Sequence, residues 1–411
     1  MTRRRGAGAG LLTATGLSVT ANAMVAVLVP WLVLSRTGSA AQAGLVGAVA
    51  LAAAVPALLL GGPLIDRWGR RRVATVADLL SAASVAALPL IDTIVGLSLV
   101  ATLALVGLGA AFDGPGGAAR EASRPGVATA AGLPLHVLNS RGEALEGAGG
   151  IAGPALAGAG IAAVGATGSL WVATVLFLVA AAVTWWLLPP DPAPARGREG
   201  FGGTALSGLR TVWRDRTLRA VALLGAAAMA FYAPFTLVLI AHLAPQGRGA
   251  ALGLVSACVA GGAVVGALAY GAVADRLSSR TVLVWSLALA AAGFAAMATF
   301  PPVPVLAGIA GVTGLAVGPV NPVLAGLMQS RCDEGMRGRV VSTTWSLSLV
   351  AAPLGMLGAG LLLDASGPSG AMVVVAVGVL AAATYAALAP GLRPGTSTGK
   401  ARPSRCEKAL A

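Results

Sequence analysis

Long apolar runs broken by short clusters of arginine make up most of the chain. Charge-free stretches cover residues 11–35, 37–65, 147–190, 220–247, 249–274, 281–330, 340–363 and 365–392. A helix crossing the hydrocarbon core of a bilayer takes about 20 apolar residues, so the longest runs must fold back on themselves. The Gly- and Pro-bearing segments 163–168 and 301–304 supply the turns. The pattern predicts spans at residues 9–34, 41–65, 73–92, 94–115, 135–162, 168–189, 219–242, 249–272, 281–300, 303–329, 339–363 and 369–390. These are twelve transmembrane helices, six in each half.

A polar signature recurs between the halves. Gly62-Pro63-Leu64-Ile65-Asp66-Arg67-Trp68-Gly69-Arg70-Arg71-Arg72 follows the second span, and Gly271-Ala272-Val273-Ala274-Asp275-Arg276-Leu277-Ser278-Ser279-Arg280 follows the eighth. A half-length repeat in charge-poor sequence is what two fused bundles of membrane helices leave behind. A duplicated soluble enzyme is excluded by composition. The chain is 57% hydrophobic and 10% charged, with a mean hydropathy of +0.84, which leaves too little polar surface to coat a water-soluble fold. The predicted class is an all-α integral membrane protein of two pseudo-symmetric six-helix bundles. Residues 1–190 and 219–392 form the bundles, 191–218 a linker and 393–411 a disordered basic tail.

Arginine then orients the chain. With the amino terminus inside, Arg3 to Arg5, the cluster from Arg67 to Arg72, Arg120, Arg124, Arg141, Arg276, Arg280, Arg331, Arg337 and Arg339 fall on one side, and Arg36 and Arg248 on the other. Such asymmetry follows the positive-inside rule and predicts cytoplasmic termini in a multi-pass plasma-membrane protein. The same rule accounts for the formal charge of +13. No aromatic–basic interleaving accompanies these arginines, so nucleic acid is not an expected partner and anionic lipid is. Cys258, Cys332 and Cys406 are scattered and suggest neither disulfides nor a metal site. Residues 206–215 mix apolar and basic positions, which suits either a short helix on the membrane surface or a solvated linker.

The Asp-Arg-x-Gly-Arg-Arg loop with its degenerate second copy resembles the signature cytoplasmic loop of the major facilitator superfamily, and the resemblance covers the whole chain. Residues 149–158, Gly-Gly-Ile-Ala-Gly-Pro-Ala-Leu-Ala-Gly, look like the fifth-span motif of its drug-exporting branch, with Ala157 and Ser140 standing where that motif has glycine. Residues 318–322, 338–340 and 352–355 resemble the branch of macrolide and enterobactin exporters. The resemblance implies a conformational latch built from Gly62, Asp66, Arg67, Gly69, Arg70 and the second-copy Asp275 and Arg276. In that latch Asp66 caps the eleventh span near Val340, and Arg70 reaches Asp113 at the cytoplasmic end of the fourth span. Loop arginines that merely anchor topology are the plainer reading.

Four carboxylates fall inside or beside spans, where charge is expensive. Glu143 and Glu146 share a helical face, and their mutual repulsion favours proton uptake. They are candidates for proton coupling, with ion pairing as the alternative. Asp78 reads as structural and Asp113 as part of the latch. Gly149, Gly153 and Gly158, with Pro154, offer a smooth packing face. By resemblance, spans one, four, seven and ten line a central cavity, which nominates Asn22, Tyr232, Thr236 and Asn321 for substrate. An otherwise apolar lining suits amphipathic cargo. The expected function is export of amphipathic small molecules or drugs by a monomer, using a transmembrane proton gradient and no cofactor or metal. A siderophore or metabolite exporter or importer, and a non-transporting sensor on the same scaffold, are the alternatives. An enzyme is not expected. His136 and His242 stand alone, and no Gly-x-x-x-x-Gly-Lys-Ser/Thr phosphate loop is present.

Overall fold

Apolar residues on every face of a helix call for lipid or other helices around it. In the computed structural model the described residues (2–94, 96, 98–189, 212–273, 276–329 and 337–392) are helical apart from short connections, with no strand among them. In chain order the helices are α1 (Thr2–Thr37), α2 (Ala40–Trp68), α3 (Arg70–Ile94), α4 (Leu99–Ala131), α5 (Leu135–Leu187), α6 (Arg216–Tyr232), α7 (Phe235–Leu243), α8 (Gly249–Val273), α9 (Ser279–Met297), α10 (Val303–Val317), α11 (Val320–Gln329) and α12 (Arg337–Leu388). Most of the predicted linker, residues 190–211, and the tail from 393 lie outside the described residues, as does Asp275.

These labels are not one per membrane crossing. A straight helix of the 53 residues in α5 would be about 80 Å long, far more than the bilayer core. It turns back at Gly165, whose φ of 76° and ψ of 170° are open to glycine alone. The 52-residue α12 does the same at Gly367. The two glycines occupy corresponding places in the two halves. Conversely, α6 and α7 are one span interrupted at Ala233-Pro234, and α10 and α11 one span interrupted at Gly318-Pro319; proline removes a donor from the ladder in each break. Ten helical stretches among the described residues are long and apolar enough to cross a membrane, and two of these, Leu135–Leu187 and Ser346–Leu388, are long enough for two passages. Counted so, they accommodate the twelve expected spans.

The fourth span departs from the hydropathy reading. Its helix runs on to Ala131 and ends on a left-handed Gly132, taking in Arg120 and Arg124 that the charge pattern assigns to a loop. Both side chains are buried. Hydropathy scores a charge as a loop residue because it cannot register a partner on another helix.

The helices α1–α5 pack as one bundle and α6–α12 as another, joined across the middle through α2 against α12 and α5 against α8. Two faces are distinct. On the face carrying the termini, Leu11 packs with Val127, Leu138 and Leu188, Thr217 donates to the carbonyl of Gly391 at 2.8 Å, and the Arg71 guanidinium sits 4.7 Å above the Trp185 ring. On the far face, Arg36 pairs with Asp92 at 2.6 Å and Asp364 meets the start of α2.

Candidate functional site

A cavity of about 450 Å³ lies between the halves, inside the range of small-molecule sites. Most of its wall comes from α1–α4: Asn22, Val29, Pro30, Val46, Ser84, Leu88, Leu105, Gly109 and Asp113 among others. The second half adds Ala233, Thr236, Leu237, Ile240 and Met356. The break between α6 and α7 places Thr236 at the wall, half-buried. Polar groups are few, and Asp113 is the one charged residue of the lining. Its carboxylate accepts a hydrogen bond of 2.6 Å from the Ser81 hydroxyl. No arginine or lysine pairs with it among the described residues.

Below Asp113, α4 carries a column of charge toward the terminal face. Arg120 and Arg124 follow at helical spacing. Arg120 donates from one nitrogen to both oxygens of Asp78, at 3.0 and 2.9 Å, and from another to Ser18 Oγ at 2.8 Å. Ser18 in turn donates to Asp78 at 2.9 Å, so α1, α3 and α4 are tied by a closed, buried network. Such a network is tolerable in low dielectric only because both carboxylate oxygens of Asp78 find donors. Gly116 leaves the room: a Cβ there would sit 2.8 Å from the Ala77 methyl. Arg124 reaches Glu146 at 2.6 Å, Glu143 at 3.3 Å and Glu121 at 3.8 Å, passing the bare backbone of Gly142.

The far side of the cavity is shut by glycine. A Cβ on Gly44 would lie 2.7 Å from the Met356 carbonyl and 2.9 Å from Gly360 Cα, and one on Gly158 would lie 2.5 Å from the Gly249 carbonyl and 2.6 Å from Gly253 Cα. Backbones of opposite halves therefore touch. Toward the terminal face, Gly147, Gly150 and Gly271 have open space where a side chain would project. Among the described residues the halves thus touch backbone to backbone at the far face, and no glycine contact joins them toward the terminal one.

This arrangement relocates several residues that the sequence nominates. The expected Arg70–Asp113 pair is not formed, because Asp113 points into the cavity and is held by Ser81. A Cβ on Gly62 would meet nothing within 4 Å, so the expected close approach there is not made, while one on its neighbour Gly61 would lie 3.4 Å from Pro115 Cα. Asp66 and Arg67 are exposed, and the first side chains of α12, residues 337–343, lie outside the described set. Gly69 ends α2 with φ of 84°, donating back to the carbonyl of Ile65. Arg276 is exposed after α8. Glu143 and Glu146 are ion-paired.

The glycines of α5 divide their work. Gly149 and Gly153 pack on Thr20 and Ala23 of α1 within one half, and Gly158 meets α8 of the other, while Pro154 reaches the cavity. Asn22 and Thr236 line the cavity; Tyr232 and Asn321 are not among its lining residues. Tyr232 stacks on Phe235, with ring centroids 6.2 Å apart, and edges onto Phe294 at 6.4 Å, because the break at Ala233-Pro234 turns it away. Asn321 is the second residue of the short α11, just beyond Pro319, and is exposed. Ser18, Ser81 and the roles of Arg120 and Arg124 were missed by sequence reasoning. The available signal was an arginine at helical spacing from a carboxylate.

Helices paired in two bundles around a central cavity that is shut at the far face define a membrane transporter of the alternating-access kind. The Major Facilitator Superfamily model matches residues 11–245 and 244–408, and the chain belongs to that superfamily. It is 34% identical over 392 residues to the multidrug efflux pump Tap of Mycobacterium tuberculosis (strain ATCC 25618 / H37Rv), covering 93% of each chain. Against the multidrug efflux pump Tap of Mycolicibacterium fortuitum it is 34% identical over 379 residues, covering 90% of this chain and 93% of the other. Among solved structures, the nucleoside transporter NupG superposes with a TM-score of 0.77 at 13% identity, covering 92% of this chain and 98% of that one. The D-xylose-proton symporter gives 0.68 at 15%, covering 93% and 97%. At such identities these two speak to the fold.

Proposed function

We propose that the protein is a proton-coupled exporter of amphipathic small molecules. The observation that carries this reading is the cavity: large, almost wholly apolar, and furnished with one carboxylate that has no basic partner among the described residues. An apolar wall accepts varied greasy shapes, and few fixed polar groups leave little to select among them. The efflux relatives, matched along nearly the whole chain, support the direction of transport. The arginine-rich face is then cytoplasmic, and a cavity shut at the opposite face is poised to load from inside.

Coupling follows from Asp113. A carboxylate facing an apolar cavity, with no arginine or lysine in contact among the described residues, is costly to leave charged. A proton or a cationic cargo relieves the same cost, so the two compete. Loading outside with a proton releases cargo, and loading inside with cargo releases the proton. Glu143 and Glu146, already neutralised in part by Arg124, are better suited to holding α5 against α4. The latch of Gly62, Asp66, Arg67, Gly69 and Arg70, with Asp275 and Arg276, would engage in the opposite, outward-facing state. A single copy suffices for this cycle, and both termini are cytoplasmic in it.

Uptake into inverted membrane vesicles tests the reading, with lipophilic cations, macrolides and siderophores offered with and without an imposed proton gradient. Gradient-dependent accumulation of several unrelated cations is the expected result. Accumulation of a siderophore alone would replace drug export with a dedicated exporter, and accumulation only in right-side-out vesicles would reverse the direction.

A further inference from the structure

The seal at the far face ends in a carboxylate that belongs to the opposite half of the molecule. Asp364 closes the first arm of α12, yet its oxygens accept from three donors at the start of α2: the backbone N–H of Ala40 at 2.8 Å, that of Ala41 at 3.1 Å, and the Ser39 hydroxyl at 3.0 Å. A helix opens with N–H groups that have no partner inside it, and its dipole favours negative charge there. The first turn of α2 contains no acidic residue of its own. The Ser39 oxygen itself accepts from the backbone N–H of Gln42, at 3.3 Å. The charge that completes this cap is therefore supplied across the interface between halves.

We propose that Asp364 is a positioning residue of the transport cycle. By capping α2 from the other half it holds the far face shut, and its release is the step that opens that face. The contacts beneath it run in register. One turn below Asp364, Gly360 lies against the backbone of α2, where a Cβ would be 2.9 Å from the Ala40 carbonyl and 3.2 Å from Gly44 Cα. One turn further, Met356 reaches Gly47 and the cavity. Opening must peel these apart from the cap inward, and the cap alone is directional, polar and exposed to solvent. The glycine contacts exclude water but carry no charge. The inference depends on alternating access, not on cargo or direction, so it stands or falls apart from the export reading.

The test follows access to the cavity instead of transport. In full-length protein with Cys258, Cys332 and Cys406 replaced by serine, a single cysteine at the cavity-lining Ala50 (Ala50→Cys) is labelled with a membrane-impermeant maleimide from either face of sealed vesicles. With Asp364 intact, labelling comes from the terminal face. Asp364→Asn, which keeps the shape and removes the charge, should raise far-face labelling by about fivefold and lower terminal-face labelling, and Asp364→Glu should return both toward the parent. Equal labelling of parent and Asn variant from both faces would overturn the proposal. A Ser39→Cys/Asp364→Cys pair gives a second reading that does not need the Asn variant to fold. Oxidation should cross-link it and confine labelling of Ala50→Cys to the terminal face, and failure to cross-link would also overturn the proposal.

Discussion

The two halves share a backbone plan and differ in what they bury. The first half encloses Asp78, Arg120 and Arg124, tied to Ser18 and to glutamates of α5, with Asp113 at the cavity wall. In the second half, the buried polar residues among those described are all hydroxyls, such as Thr217, Ser286, Thr313 and Ser348. Several of these bond to their own helix, as Thr313 does to the Ile309 carbonyl at 2.8 Å and Ser348 to the Thr344 carbonyl at 3.0 Å. Duplication thus preserved helix packing and the turn-back glycines Gly165 and Gly367, while ionic chemistry collected on one side. Two bundles that must rock as rigid bodies need only one to handle charge, and a second charged interior would add desolvation cost without adding a step.

The sharpest way to break this contrast is at Asp113. Asp113→Asn should reduce gradient-driven accumulation in inverted vesicles to that of vesicles lacking the protein while sparing downhill exchange. Thr236→Val, across the same cavity, should retain uphill transport. Uphill transport surviving Asp113→Asn would move coupling elsewhere. Next in size is Arg120→Ala, which strands Asp78 in the bundle and should destabilise the protein by about 3–5 kcal/mol. The double change Asp78→Leu/Arg120→Met should recover most of that loss, as read by thermal unfolding in detergent. A double variant no more stable than the single would mean that the network is not a closed pair.

Smaller effects grade the glutamates. Glu146, in closer contact with Arg124 and about one-third exposed, should matter more than Glu143, whose side chain is 69% exposed. Glu143→Gln should cost about 0.2–1 kcal/mol, measured in the same melts, and equal losses from the two would contradict the geometry. Least of all, Thr313→Val in the second half removes one hydroxyl bond to its own helix and should cost about 1 kcal/mol or less. A loss as large as that of Arg120→Ala would show that the second half hides a network of its own.

Much of the fold was legible along the chain. Span positions other than the fourth, the duplication and the paired halves follow from hydropathy and from the Asp-Arg repeat, because exclusion of charge from lipid acts on each segment separately. The site was legible only in part. Asn22, Thr236 and Asp113 are visible as polar residues in apolar runs, but Tyr232 looks equally suitable and is turned aside by the Ala233-Pro234 break. Arg120 and Arg124 read as loop residues because a window average counts their charge and not the Asp78 and Glu146 that neutralise it.

Composition and periodicity, then, are enough to make this chain a two-bundle membrane protein, since burial of a helix in lipid depends on that helix alone. Which carboxylate faces the cavity, which are spent on arginine, and that Asp364 caps a helix in the other half were decided by tertiary structure. Each depends on partners remote in the chain, Asp364 and Ala40 being 324 positions apart, and no local pattern encodes a contact at that range.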